Sequence, residues 1–176
     1  RTGYFGDFYL VGQWFPKIGV YEPAGRRRRA AGGWNCHQFH AHSEFYADFG
    51  RYVVEMTVPG SFTVGATGRR TAERKNADGT ATYTYEQEDI HDFAWAADPN
   101  FVVVRETFSA AREVTPADQE RTATLLDRPI GQVALTDVDI TLLMQPVHMP
   151  QAARHMRAVK AAVKDFGLSY GRYPYA

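Results

Sequence analysis

The stretch RRTAERKNADGTATYTYE, residues 69–86, has the pattern of a β-hairpin. Asp78 and Gly79 form an Asp-Gly pair, which supplies the positive φ that a tight turn between antiparallel strands needs. Beyond the turn, Tyr83 and Tyr85 recur at i and i+2, so both rings belong on one face of a strand. The sequence therefore predicts two antiparallel strands joined at this turn.

Most of the first 145 residues have the same character. Apolar and polar side chains alternate over residues 51–58, apart from Val53, which predicts a strand with one buried face. Further apolar segments bounded by turn residues predict strands at residues 7–15, 62–66, 89–96, 101–109 and 132–145. Many short strands with hardly a helix among them indicate a mainly β fold, namely an antiparallel β-sandwich or saddle-shaped sheet.

One helix is predicted, in the last quarter of the sequence. From Pro150 to Phe166, apolar residues recur at spacings of four and three, with basic residues on the opposite face. Pro150 and Gly167 are typical of the two ends of such a helix. We therefore expect a β-domain over residues 1–147, followed by a linker and helix over residues 148–176. The apolar stripe of this helix is expected to need a partner outside the chain.

Two polar segments are predicted to be loops. Residues 22–33 contain Pro23, three glycines and a run of four arginines, and we interpret them as a solvated, mobile loop rather than a site for phosphate or acidic partners. Residues 115–129 open on Thr-Pro and are expected to form a loop or one short helix.

The composition excludes several classes of function. Basic and acidic residues number 20 each, so the chain has no net charge that would indicate binding to nucleic acid or to an anionic membrane. No apolar run approaches the roughly 18 residues that a membrane span needs. A single cysteine, Cys36, excludes an internal disulfide framework, and we expect it to be a small buried side chain. Nothing in the sequence indicates a compartment.

Several motifs follow one another in a characteristic order: W-F-P at residues 14–16, F-Y-A-D-F-G-R-Y-V-V-E-M-T-V-P at 45–59, V-G-A-T-G at 64–68, D-F-A-W-A-A-D at 92–98, and G-R-Y-P-Y at 171–175 after the basic helix. In this order they resemble the N-terminal β-domain of aminopeptidase-N-like zinc metallopeptidases, the gluzincins, together with the helix that opens their catalytic domain. The resemblance extends over nearly the whole chain.

The resemblance implies a non-catalytic scaffold. Such a domain packs on the catalytic domain of the same polypeptide and borders the substrate cleft, while the parent protein hydrolyses peptide bonds with zinc. The zinc motif H-E-x-x-H and the substrate-amine motif G-x-M-E-N are absent from these 176 residues, so we expect a chain that is truncated before both motifs, inactive alone and without a cofactor of its own. In the family, a glutamine upstream of the Phe-Pro element contacts the amino end of the peptide substrate. The resemblance assigns this role to Gln13, two residues before Phe15 rather than at the family's longer spacing.

A cluster of possible metal ligands lies near the middle of the first hundred residues. His37, His40 and His42 are close in sequence to Cys36 and Glu44. On a strand, His40, His42 and Glu44 would share one face, and neutral imidazoles are good ligands for zinc or copper. Histidines hydrogen-bonded within a partly buried sheet explain the same pattern, and we assign no metal ligands here. A small metalloprotein built on these histidines remains an alternative.

Three further patterns are compatible with a function but have simpler explanations. Three tryptophans and ten tyrosines are compatible with an independent β-sandwich module that binds carbohydrate or peptide, although core packing accounts for most of them. Asp137 and Asp139 share a strand face but supply too few oxygens for calcium. His91, with Asp89 and Asp92 nearby, resembles an acid–base group, yet no nucleophile motif such as G-x-S-x-G accompanies it.

Overall fold

The computed structural model describes residues 2–28, 30–38 and 40–175, with the backbone alone for Arg28. Arg29 of the arginine run and Phe39 of the histidine cluster therefore lie outside the described residues. The fold is mainly β, with antiparallel sheets and a long C-terminal helix, as predicted. Two compact units make up the chain, residues 1–99 and 100–176. Across the described residues, no helix combines the length and apolar character needed to cross a membrane.

Within the described residues, the first unit contains three antiparallel sheets. The strands in chain order are β1 (Gly3–Phe5), β2 (Phe8–Val11), β3 (Val20–Glu22), β4 (Gly33–Asn35), β5 (Gly50–Pro59), β6 (Thr63–Ala66), β7 (Arg69–Lys75), β8 (Thr80–Ile90) and β9 (Trp95–Asp98). One sheet has the order β1-β2-β9-β6, a second has the order β5-β8-β7, and a third consists of β3 and β4. Tyr85 of β8 packs its ring on the fully buried Phe93 and donates its hydroxyl to the carbonyl of Val64 in β6. These contacts connect the two larger sheets.

The predicted hairpin is confirmed as β7 and β8. Gly79 has φ +84°, and a carboxylate oxygen of Asp78 accepts hydrogen bonds from the backbone N–H and the hydroxyl of Thr80. These two donors stabilise the ionised carboxylate and therefore lower the pKa of Asp78. Asn76 closes the turn, because its backbone N–H donates to the carbonyl of Thr80 at 2.8 Å.

Two predicted strands of this unit have different bounds in the structure. The strand expected over residues 7–15 is only β2, and its Leu10 is 48% exposed. The chain leaves the extended conformation before Gln13, where φ turns positive. The strand expected over residues 89–96 is divided, because β8 ends at Ile90 and β9 begins at Trp95.

The arginine-rich segment is attached to the rest of the first unit at its base. Glu22, at the end of β3, is 1% exposed and accepts hydrogen bonds from Asn35 Nδ2 at 3.1 Å and from the hydroxyl of Tyr46 at 3.0 Å. The bond to Glu22 raises the pKa of the Tyr46 hydroxyl, because a donor to a carboxylate holds its proton more tightly. Arg27 lies 3.5 Å from the same carboxylate and covers the Tyr46 ring. The described residues 23–27 are exposed, as expected of a solvated loop, and the mobility of this loop stays a prediction.

Within the described residues, the second unit combines one hairpin with four α-helices and a 3-10 helix, Pro146–Gln151. Its elements are β10 (Val102–Phe108), α1 (Ala110–Glu113), α2 (Pro116–Leu126), α3 (Ile130–Val133), β11 (Val138–Met144) and α4 (Ala152–Tyr170). Helix α2 is the short helix left open by the sequence; Thr115 begins it with a capping box in which Thr115 and Asp118 each bind the other's backbone N–H. The strand expected over residues 132–145 begins only at Val138, because α3 occupies its predicted start.

Helix α4 packs on the hairpin of its own unit. Met156 and Leu168 are buried against Phe108 of β10 and Ile140 of β11. The apolar stripe thus has a partner within the chain, contrary to expectation. The predicted end at Gly167 is also wrong: the helix continues to Tyr170, and a Cβ at position 167 would lie 2.9 Å from the methyl groups of Leu135, so a glycine allows close packing there. The division into 1–147 and 148–176, as domains of a longer protein, stays a prediction.

Candidate functional site

Gln13 lies in the turn that follows β2 and has φ +53°, which non-glycine residues adopt only at an energetic cost. Its side chain is half-buried, and Nε2 donates a hydrogen bond to Oε2 of Glu44 at 2.6 Å. Because a carboxylate can only accept, this bond fixes which end of the amide is the NH₂ group. The oxygen Oε1 consequently points away from Glu44 as an acceptor.

The segment that carries Gln13 is attached to residues 91–93. The indole Nε1 of Trp14 donates to the carbonyl of Phe93 at 2.9 Å. The ammonium of Lys17 donates to the carbonyl of His91 at 2.8 Å and forms an ion pair with Asp92 at 3.3 Å. These polar contacts hold the segment immediately after Gln13 against residues 91–93.

Lys17 and its surroundings set the electrostatics beneath this segment. The side chain of Lys17 is 6% exposed, and its ammonium lies 5.8 Å from the ring of Phe15 and 5.5 Å from that of Phe45. A charge so deeply buried requires a partner, and Asp92 supplies it. Burial, together with the negative charge of Asp92, raises the pKa of Tyr52. The ion pair therefore serves to hold the segment rather than to contact a ligand.

The surface around Gln13 is suited to binding a cation or a hydrogen-bond donor. The carboxylate of Glu44 is exposed, and no hydrogen bond to Gln13 Oε1 is present within the described residues. Oxygen acceptors next to a carboxylate match a protonated amine, which brings three donors and a positive charge.

The histidine cluster does not lie on a strand. Residues 36–44 form turns and irregular structure where described, so the premise that alternation places His40, His42 and Glu44 on one face is wrong. The rings of His37 and His40 are 5.2 Å apart. Among the residues that the structure describes, no group of three His, Cys, Asp or Glu side chains could hold a metal ion. Cys36 is exposed, contrary to expectation.

The remaining candidate residues have structural partners. Asp137 accepts a hydrogen bond from the backbone N–H of Ala110 at 2.8 Å, at the start of α1. Asp139 accepts from the hydroxyl of Thr107 on the neighbouring strand, also at 2.8 Å. The ring of His91 packs on Phe49. These contacts explain the residues without a bound ion or a reaction.

No direct signal in the sequence identifies Lys17 or the pairing of Gln13 with Glu44. Both are loop contacts between residues far apart in the chain, and neither follows a helical or strand period. The Gly-Gln step at residues 12–13 is the one local hint of a turn. Comparison with known proteins finds no match, either among protein-family models or among curated proteins.

Proposed function

We propose that this chain is the N-terminal β-domain of an aminopeptidase-N-like zinc metallopeptidase. It acts as a non-catalytic scaffold that packs on the catalytic domain of the same polypeptide and borders the substrate cleft. The parent protein holds zinc and hydrolyses peptide bonds, whereas the chain alone is inactive. The ordered motifs between residues 14 and 175 suggest this family, and the fold, mainly antiparallel β with a C-terminal helix, agrees with it.

One observation carries the proposal from fold to function: the Gln13 amide is oriented by Glu44 on a backbone of positive φ. Unfavourable backbone conformations persist where the surroundings impose them, and they cluster at binding sites. Since Nε2 is committed to Glu44, Oε1 is presented to accept a hydrogen bond from the amino group of a peptide. Gln13 is thus proposed as the residue through which this domain touches substrate.

Kinetics of the full-length gene product test this role. Gln13→Ala removes one hydrogen bond to a charged amine, worth about 1.5–3 kcal/mol, so kcat/KM for aminoacyl-p-nitroanilides should fall roughly 10- to 100-fold. Gln119→Ala is the matched control, because Gln119 is also half-buried but lies on α2 in the second unit. Equal kcat/KM for the two variants would remove Gln13 from the site. A gene product without zinc and without peptidase activity would refute the family assignment.

The second candidate function is a binding module for carbohydrate or peptide, and one feature favours it. Tyr21 and Trp34 face each other across β3 and β4, with ring centroids 5.4 Å apart, and both are more than half exposed. Exposed aromatic pairs are common in binding surfaces. Binding of an oligosaccharide or peptide by the 176-residue chain, abolished by Trp34→Ala, would favour this function over the scaffold.

A further inference from the structure

Strand β5 forms one end of the sheet β5-β8-β7. It is ten residues long and hydrogen-bonds along one side, to β8. The other side of an end strand presents a row of unpaired N–H and C=O groups, and proteins usually protect long strands of this kind with charges, proline or bulges. A ten-residue end strand such as β5 therefore needs protection along its open side.

The two end strands of this sheet are protected differently. Strand β7 carries four basic residues and one acidic residue, and every residue in it is exposed. Two copies of β7 would repel each other, which protects that edge. The charges of β5 are Arg51 and Glu55, and they cancel. Pro59 stands at the very end of β5, so it leaves the rest of the strand open to pairing.

The exposed face of β5 contains an apolar residue without an apparent structural reason. Arg51, Val53 and Glu55 alternate on this face, while Met56 on the opposite face is buried. Val53 is 57% exposed, although it lies in the part of β5 that pairs regularly with β8, beyond the register shift between Gly50 and Tyr52. It is the same residue that interrupts the alternation of the sequence. An exposed valine between two opposite charges suits a contact in which a twofold axis relates this strand to the same strand of another copy.

We propose that β5 pairs with β5 of a second copy of this chain, antiparallel and centred on Val53. In this register Val53 lies opposite Val53 of the second copy, and Arg51 of each copy lies opposite Glu55 of the other. A shift of two residues places Arg51 opposite Val53 or Thr57, and a shift of four places like charges opposite each other. Charge complementarity therefore selects one register, and the two three-stranded sheets become one sheet of six strands.

The existing partners of Arg51 are compatible with this pairing. Its guanidinium is hydrogen-bonded to Glu86, with Nε at 2.8 Å, and lies 3.7 Å from Glu88. A guanidinium has five N–H donors, so it can retain Glu86 and also bind the incoming Glu55. Glu86 fixes the Arg51 side chain in advance, which lowers the entropy lost on association. The proposal does not depend on the peptidase assignment.

Sedimentation equilibrium of the 176-residue chain over a wide concentration range tests the proposal. We expect reversible dimers. Glu55→Arg replaces two attractive pairs by two repulsive ones, so its dissociation constant should rise about tenfold or more. Val53→Lys should weaken the dimer similarly, since it places two ammonium groups together at the twofold axis. Ala72→Lys on the opposite edge strand is the matched control and should leave the dissociation constant unchanged.

A charge exchange makes the test specific to the register. Arg51→Glu and Glu55→Arg should each dimerise poorly alone, whereas their mixture should restore association because both cross-strand pairs again have opposite charges. If Arg51→Glu fails to fold after losing Glu86, as judged by circular dichroism, Val53→Lys and Glu55→Arg decide the question. A wild-type chain that stays monomeric at the highest concentration would overturn the proposal. Dissociation constants of Val53→Lys and Glu55→Arg equal to that of the Ala72→Lys control would also overturn it.

Discussion

The ion pair between Lys17 and Asp92 makes a quantitative prediction for stability. The two side chains differ in exposure, at 6% for Lys17 and 27% for Asp92. Lys17→Met keeps the methylene packing and leaves Asp92, which reaches water and still accepts from the N–H of Phe93 at 2.8 Å. Asp92→Asn leaves a buried ammonium without its countercharge. We therefore expect losses of about 1–2 kcal/mol for Lys17→Met and about 2–3 kcal/mol for Asp92→Asn.

The double variant measures the interaction itself. With both charges removed, the loss should be smaller than the sum of the single losses by about 1–2 kcal/mol. All three tryptophans lie in residues 1–99, so urea unfolding followed by tryptophan fluorescence reports on the first unit. Lys75→Met on the exposed strand β7 serves as control and should cost less than about 0.5 kcal/mol. Losses below about 0.5 kcal/mol for both Lys17→Met and Asp92→Asn would refute the reasoning. A larger loss for Lys17→Met than for Asp92→Asn would also refute it.

Three further predictions concern turns, core and pH. Gly68 and Gly79 both have positive φ, but only at Gly68 would a Cβ meet a backbone oxygen, at 2.8 Å, so Gly68→Ala should lower the urea midpoint more than Gly79→Ala, which costs about 1–2 kcal/mol. Met156→Ala should cost about 2–5 kcal/mol in thermal unfolding because Met156 is 2% exposed, whereas Phe166→Ala, at 64% exposure, should change stability by less than about 0.5 kcal/mol. Hydrogen bonds from a lysine of α4 and from the cap of α2 lower the pKa of Asp118 to about 2. A lowered pKa stabilises the fold at pH values above the ordinary carboxylate range, so helicity measured at 222 nm should become less resistant to urea as pH falls from about 4 to about 2. Asp118→Asn should lack this pH dependence.

Local signals in the sequence were sufficient to predict elements that depend on residues close together in the chain. The Asp-Gly turn at Asp78 and Gly79 predicted β7 and β8, because the turn residues and the alternating strands favour the same hairpin. Helix α4 was predicted from its apolar spacing, but its end was placed at Gly167. A glycine next to Leu135 serves packing as well as termination, and sequence alone does not separate the two uses.

Long-range contacts account for what the sequence did not reveal. Gln13 was predicted as a site residue from the family resemblance, yet its bond to Glu44 joins two loops that are 31 residues apart. The buried environment of Lys17 depends on aromatic rings from two separate segments. The same limit applies to Cys36, whose exposure depends on how residues 36–44 leave the sheet. Periodicity describes single elements, so it carries no information about such pairs.

Native mass spectrometry of the protein purified from its source tests the metallopeptidase assignment most directly, because one spectrum gives both the polypeptide mass and the bound metal. We expect a polypeptide well above the 19.8 kDa of these 176 residues, carrying one zinc ion. A polypeptide of 19.8 kDa without zinc would contradict the assignment and favour an independent binding module.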